Sequence, residues 1–214
     1  QGIKAGEKTV RLLMRDMGIK SIRQEAKSLY DKEKKRNRNL LQQQFNPLKP
    51  NQVWVSDITM FRLKEKNFYI CVILDLYSRA VVGYKIGIKN RTQLTKSTFK
   101  LAYTNRQPQS GLMFHSDNGG NYCCRTFQSY LIKLNVEQTF SRPYVPYDNS
   151  VMESFFASMK REELYRRKFK SENEFYKAVA DYIIFYNEKR PHYQNSYRTP
   201  LKKEQDYYNT IEQK

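Results

Sequence analysis

Three stretches rich in β-branched and aromatic residues, Val53–Met60, Phe68–Asp75 and Ala80–Ile88, follow one another across the short polar stretches Arg62–Asn67 and Leu76–Arg79. Connections that short join antiparallel neighbours, because parallel strands need a crossover of a dozen or more residues. The chain is therefore held to a meander over residues 53–88. Downstream the period changes: residues 91–104 read as helix, Gly111–His115 as strand, Tyr122–Leu134 as helix with Phe127, Tyr130, Leu131 and Leu134 on one face, and Val136–Phe140 as strand. Hairpins followed by alternation predict an α/β fold, a mixed sheet of about five strands flanked by helices. Asn149–Arg166 and Ser171–Asn187 read as helices.

Upstream, Val10, Leu13, Met14 and Met17 recur at helical spacing, and Gly18 stands where a helix-ending glycine belongs. Polar sequence then leads through Pro47 and Pro50 into the first strand. Three parts are predicted: a basic helical segment and linker (1–47), an α/β core (48–165) and a helical C-terminal extension (166–214). The chain opens on Gln1 in helix-like sequence, as a fragment of a longer protein would.

Lys and Arg number 39 against 21 Asp and Glu, a net charge of +18, with the excess concentrated in the first half. A field of that sign draws polyanions, nucleic acid above all. Lys34, Lys35 and Arg36 lie in the densest run and are candidate DNA contacts, although such a run also serves as a solvated linker. No apolar run approaches the roughly 20 residues of a membrane span, and no signal peptide opens the chain, so a membrane location is excluded and an intracellular one expected. Seventeen Tyr and twelve Phe against eight Gly and seven Pro argue for a packed core rather than disorder. Three cysteines (Cys71, Cys123, Cys124) and two histidines (His115, His192) support neither a disulfide framework nor a zinc site.

Three carboxylates carry the chemistry. Asp57 interrupts the otherwise apolar strand Val53–Met60, where an unpaired carboxylate would be costly, so a metal ion, an arginine or a helix N-terminus must compensate it. Asp117 follows the strand ending at His115 and precedes Asn118-Gly119-Gly120, either a plain turn or the strand end where α/β sheets present reactive groups. Glu153 falls with Asn149 and Lys160 on a polar strip bordering the helix stripe of Met152, Phe155, Phe156 and Met159, or else closes a capping box with Ser150. Taken together, a strand, a strand end and a helix each supply one acid. Such a cluster repels itself without cations, and oxygen ligands suit Mg²⁺ or Mn²⁺. Two such ions about 4 Å apart serve phosphodiester chemistry.

At these residues the chain resembles the catalytic subunit of bacterial transposases of the insertion sequence three family, within the retroviral-integrase-like group. The matching segments are Val53-Trp54 with Asp57-Ile58-Thr59, Leu74-Asp75-Leu76-Tyr77-Ser78-Arg79, His115-Ser116-Asp117-Asn118-Gly119 with Tyr122, Tyr147-Asp148-Asn149 with Glu153-Ser154-Phe155-Phe156, and Tyr186-Asn187 with Arg190-Pro191-His192. The resemblance implies an RNase H-like fold, a catalytic triad of Asp57, Asp117 and Glu153 holding two Mg²⁺ (Mn²⁺ as substitute), and a Lys160 that touches the DNA end. It implies 3′-end cleavage and strand transfer by water or a 3′-hydroxyl, on terminal inverted repeats and target DNA, by a homo-oligomer assembled on DNA in the bacterial cytoplasm or nucleoid. The helix at 6–18 is similar to part of the family's helix-turn-helix region.

Two narrower readings keep the fold: a ribonuclease H-like nuclease, and an inactive DNA-binding remnant. The Arg190-Pro191-His192 and Glu153-Ser154-Phe155-Phe156 segments argue against the first, and the complete triad with Lys160 against the second. Secondary DNA-contact candidates are Asn149, otherwise an N-cap; His115, otherwise a packed core histidine; and Arg190, otherwise a structural terminus.

Overall fold

The computed structural model describes residues 6–19 and 38–212; Lys34, Lys35 and Arg36 lie outside them. The chain divides between residues 36 and 37, so the second unit starts eleven residues before the core expected from 48. In the first unit, α1 (Glu7–Asp16) ends as its sequence predicts. Gly18, at φ 66°, lets its own amide donate to Arg15 O and that of Ile19 to Met14 O, the pair of bonds that closes a helix at a left-handed glycine.

The second unit is built on a five-stranded sheet in the order β3-β2-β1-β4-β5. β1 (Val53–Leu63), β2 (Lys66–Asp75) and β3 (Val81–Gly87) form the expected antiparallel meander, with Lys64 at φ 52° in the tight first turn. β4 (Met113–Ser116) and β5 (Glu137–Phe140) add in parallel on the other side of β1. The helices are α2 (Thr92–Arg106), α3 (Gly120–Cys123), α4 (Arg125–Lys133), α5 (Ser150–Met159), α6 (Glu172–Glu188) and α7 (Pro200–Glu212).

Strand alternation sorts the side chains into two cores. Val53, Val55, Phe68, Ile70, Val72 and Leu74 pack with Met152, Phe155 and Met159 of α5 and with Phe175, Val179 and Tyr182 of α6. The opposite face, from Trp54, Ile73, Val82 and Phe114, packs against α2, α3 and α4. Phe99 of α2 is its hub, meeting Trp54, Phe114 and Phe127 edge-on at centroid distances of 5.1–6.0 Å. Gly83 allows α2 this close: a Cβ there would lie 2.7 Å from that of Ala102.

The helix expected over Tyr122–Leu134 is two helices, because Cys124 is extended (ψ 131°) between α3 and α4. The break lets Tyr122 and Phe127 enter the same core, with the Tyr122 hydroxyl 2.9 Å from Ser56 Oγ. α5 passes at Lys160 into a π-helical turn ending at Leu164. The expected helical C-terminal segment is present, and it packs within the second unit. Asn187 pairs through its side-chain amide with both backbone groups of Val81, and Glu204 of α7 accepts two bonds from Arg106 at 2.6 and 2.7 Å.

Candidate active site

The register of the sheet brings the first two acids together. β1 and β4 run parallel with Ser56 opposite Ser116, so Asp57, still within β1 and paired with Val72 of β2, and Asp117, just past the end of β4, follow the last residues of that ladder side by side. Alternation from Val53 and Val55 turns Asp57 to the face covered by α5. Asn149, which immediately precedes α5, donates its amide to Asp57 Oδ2 at 2.9 Å, and the Ile58 amide donates to Oδ1 at 2.7 Å. Burial pushes the Asp57 carboxyl up to about 6, and the charges of Asp117 and Glu153 push the same way. Burial raises Asp117 too, while its Oδ1 accepts from the Gly119 amide at 3.1 Å. A Cβ at residue 119 would lie 2.9 Å from Asp117 Oδ1, so a side chain there would force that carboxylate to shift.

Glu153 stands on the first turn of α5 with its side chain exposed. No side chain caps this helix, so neither the capping box from Ser150 nor an N-cap bond from Asn149 forms. Lys160, half-buried, follows two turns later. The acids form an electrostatic neighbourhood rather than a closed cage: among the described residues, no three His, Cys, Asp or Glu side chains group tightly enough to enclose a metal ion. Mg²⁺ does not need such a cage, because it is held by one or two carboxylates with waters and substrate phosphates completing its shell. Asp57 and Asp117 meet that requirement. Asn149 Oδ1, buried beside them without a partner, is a further oxygen available there.

One expected DNA contact is corrected. His115 is fully buried on β4, its Nε2 3.1 Å from Ser141 Oγ and 3.0 Å from Asp148 O, so it packs the core and cannot reach a phosphate. Burial lowers it to about 4, which keeps it neutral. Arg190, expected as a DNA contact or as a structural terminus, pairs with Glu162 at 2.8 and 2.9 Å and ties the end of α6 to the turn after α5.

The spacing of the sequence did not reveal Asp148. Its buried carboxylate accepts from Asn39, Gln43 and Arg142, fixing residues 38–43 to the loop before α5 and so placing Asn149. Those hydrogen bonds hold its carboxyl well below the usual range, that of Arg142 foremost. The partners lie up to 109 residues away, so no local pattern marks them.

Comparison with known proteins follows this geometry. Integrase core domain families match residues 47–146 and 134–200. The transposase for insertion sequence element IS904 of Lactococcus lactis is 34% identical across 98% of this chain and 83% of its own length. Transposase InsF for insertion sequence IS3A of Escherichia coli is 36% identical over 72% of the chain, which spans 54% of that relative. Among solved structures, a chain of the simian T-cell lymphotropic virus intasome in complex with PP2A regulatory subunit B56 gamma superposes with a TM-score of 0.65 at 21% identity, over 74% of this chain and 56% of its own. The HTLV-2 integrase catalytic core domain in complex with magnesium gives 0.57 at 19%, over 73% of this chain and 97% of its own. These establish the RNase H-like fold, and with the identity shared along nearly the whole of this chain and 83% of the lactococcal relative they place the chain in the IS3 family of insertion-sequence transposases.

Proposed function

We propose that this chain is the catalytic portion of a DDE transposase, which cuts a 3′ end of its insertion sequence and joins it to DNA. The observation that carries this reading is the convergence of Asp57 and Asp117 at the parallel β1–β4 register, with Asn149 bonded to Asp57 and the charge of Glu153 within reach. Its relatives support it: they are transposases by name, and the similar HTLV-2 core domain was solved with magnesium. Asp57, Asp117 and Glu153 would hold the metal, Mg²⁺ or Mn²⁺, with Glu153 joining from the rim as DNA enters. Metal bound there would activate the attacking oxygen and stabilise the leaving one.

The chain's own residues do the rest. Asn149 and the Ile58 amide fix the Asp57 carboxylate, and Asp148 fixes Asn149 through the loop. Lys160, two turns beyond Glu153, engages the DNA end. Terminal inverted repeats and target DNA are the partners, bound by an oligomer assembled on DNA in the bacterial cytoplasm. Among the described residues no helix is long and apolar enough to cross a membrane.

The test is a strand-transfer assay on DNA carrying the element's own ends. Asp57→Asn, Asp117→Asn and Glu153→Gln are each expected to lower joining by about a thousandfold or more while leaving DNA affinity within a few-fold. Joined product at wild-type rates from any of the three would overturn the triad, and cut product with no joining would point to a plain nuclease. Lys160→Ala should weaken engagement of the DNA end and leave metal-dependent stabilisation in place.

A further inference from the structure

A cavity of about 610 Å³ runs along α5, closed by residues 43–46 on one side and by the end of α6 with the segment after it on the other. Ser150, Ser154 and Ser158, at successive i, i+4 positions, line it from α5 with neutral donors. Arg79 lines it as well, at only 6% exposure. Its Nη2 donates to Phe45 O at 2.9 Å, while its Nη1 is shielded and has no partner. The Asp75 carboxylate, four residues earlier, is taken by the amides of Asn51 and Tyr77 and lies 3.6 Å from Arg106. Asp75 therefore reaches Arg79 only as a longer-range charge, with no ion pair at the guanidinium among the described residues, and an anion in the adjoining space completes that partial compensation.

The second arginine of the cavity does not cancel this charge. Arg190 is already matched by Glu162. His192, also on the wall, is pushed down to about 4 by burial and by the charges of Arg190, Arg79 and Lys203, which fits a positive local potential.

We propose that this cavity is a phosphate site, taking a phosphate-class oxyanion with Arg79 supplying the charge and the α5 serines the hydroxyl donors. Ser150 and Ser154 directly adjoin Asn149 and Glu153 in sequence, so a bound phosphate lies beside the helix that carries the candidate acid. A DNA strand laid along α5 would present such a group. Assignment to DNA rests on the transposase reading; the anion site itself does not, because it uses none of the three acids.

The experiment titrates the full chain, in metal-free buffer at constant ionic strength, with dimethyl phosphate and separately with inorganic phosphate, by calorimetry and thermal shift. Saturable binding is expected. Ser154→Glu sets a carboxylate on the exposed cavity wall and should weaken binding by about tenfold or more. Ser129→Glu, the same change on exposed α4, should leave it intact. Binding of the diester identifies a DNA backbone as the source; binding of inorganic phosphate alone identifies a free or terminal phosphate. Absence of saturable binding, or equal behaviour of the two glutamate variants, overturns the proposal. Arg79→Gln gives a second check, valid where its melting curve shows a cooperative fold: its binding should be lost, and retained affinity counts against the site.

Discussion

Two carboxylates one strand apart, Asp57 in β1 and Asp75 at the end of β2, share a physical predicament and differ in what resolves it. Burial pushes each up to about 6. Asp75 is answered by fixed donors, the amides of Asn51 at 2.6 Å and Tyr77 at 2.8 Å, with Arg106 behind them. Asp57 has the Ile58 amide and one side-chain amide, that of Asn149, whose Oδ1 is unpartnered. Depth of burial and a raised pKa therefore do not distinguish a reactive acid from a structural one. The partners do: both oxygens of Asp75 are held by backbone amides, and Arg106 answers it together with its acidic neighbour Glu204, whereas one oxygen of Asp57 is held by a side-chain amide that can turn over, beside Asp117 and Glu153.

The largest effect on stability is expected where the fixed side of this comparison is broken. Arg106 joins three elements, since it pairs with Glu204 of α7, approaches Asp75, and donates to Asn51 Oδ1 at 3.1 Å. Arg106→Ala leaves two buried carboxylates without their cation, and should destabilise the fold by roughly 3–5 kcal/mol. Chemical denaturation measures this directly. A loss under about 1 kcal/mol would mean that the backbone amides alone hold Asp75.

That network also marks the limit of what the sequence discloses. The strands were legible because alternation and short connections act locally, and β1, β2 and β3 lie within a few residues of the expected runs. The elements bearing the three acids were legible as well: Asp57 interrupts the apolar run of β1, Asp117 follows the strand β4 and precedes Asn118-Gly119-Gly120, and Glu153 lies on the polar strip beside the apolar stripe of α5. The closures between distant parts were not. Arg106 with Glu204 spans 98 residues and Asp148 with Asn39 spans 109, distances over which no periodicity carries information. The same blindness explains His115. Its position near Asp117 in sequence suggested a shared task, but the groups that claim it, Ser141 and Asp148, come from the far side of β5. Helix α7 lies in the extension expected to be helical, but its bounds were not legible: of its thirteen residues only Pro200 and Glu204 are buried, so it carries almost no apolar stripe to read.

A smaller effect, and the sharper test of the comparison, comes from replacing each acid by its amide. At Asp75 both oxygens face N–H donors that cannot move, so Asp75→Asn sets one donor against another and should destabilise by about 1–3 kcal/mol. At Asp57 the Asn149 amide can turn, offering its unpartnered Oδ1 to the new NH₂ group, so the substitution keeps its bonds and removes a buried charge. The sign of the pH dependence follows. A carboxyl raised from 3.8 to about 6 in the fold stabilises it fully below 3.8 and loses that contribution as pH rises through about 6. Asp57→Asn has no such loss, so without metal it should match the parent near pH 4 and exceed it above pH 6 by on the order of 1–3 kcal/mol. Added Mg²⁺ should reverse the ranking, because only the parent retains the carboxylate that binds it. Melting curves at pH 4 and pH 7.5, with and without Mg²⁺, decide the matter. An Asp57→Asn chain less stable than the parent in metal-free buffer at pH 7.5 would show that Asp57, like Asp75, is a structural acid locked by its partners.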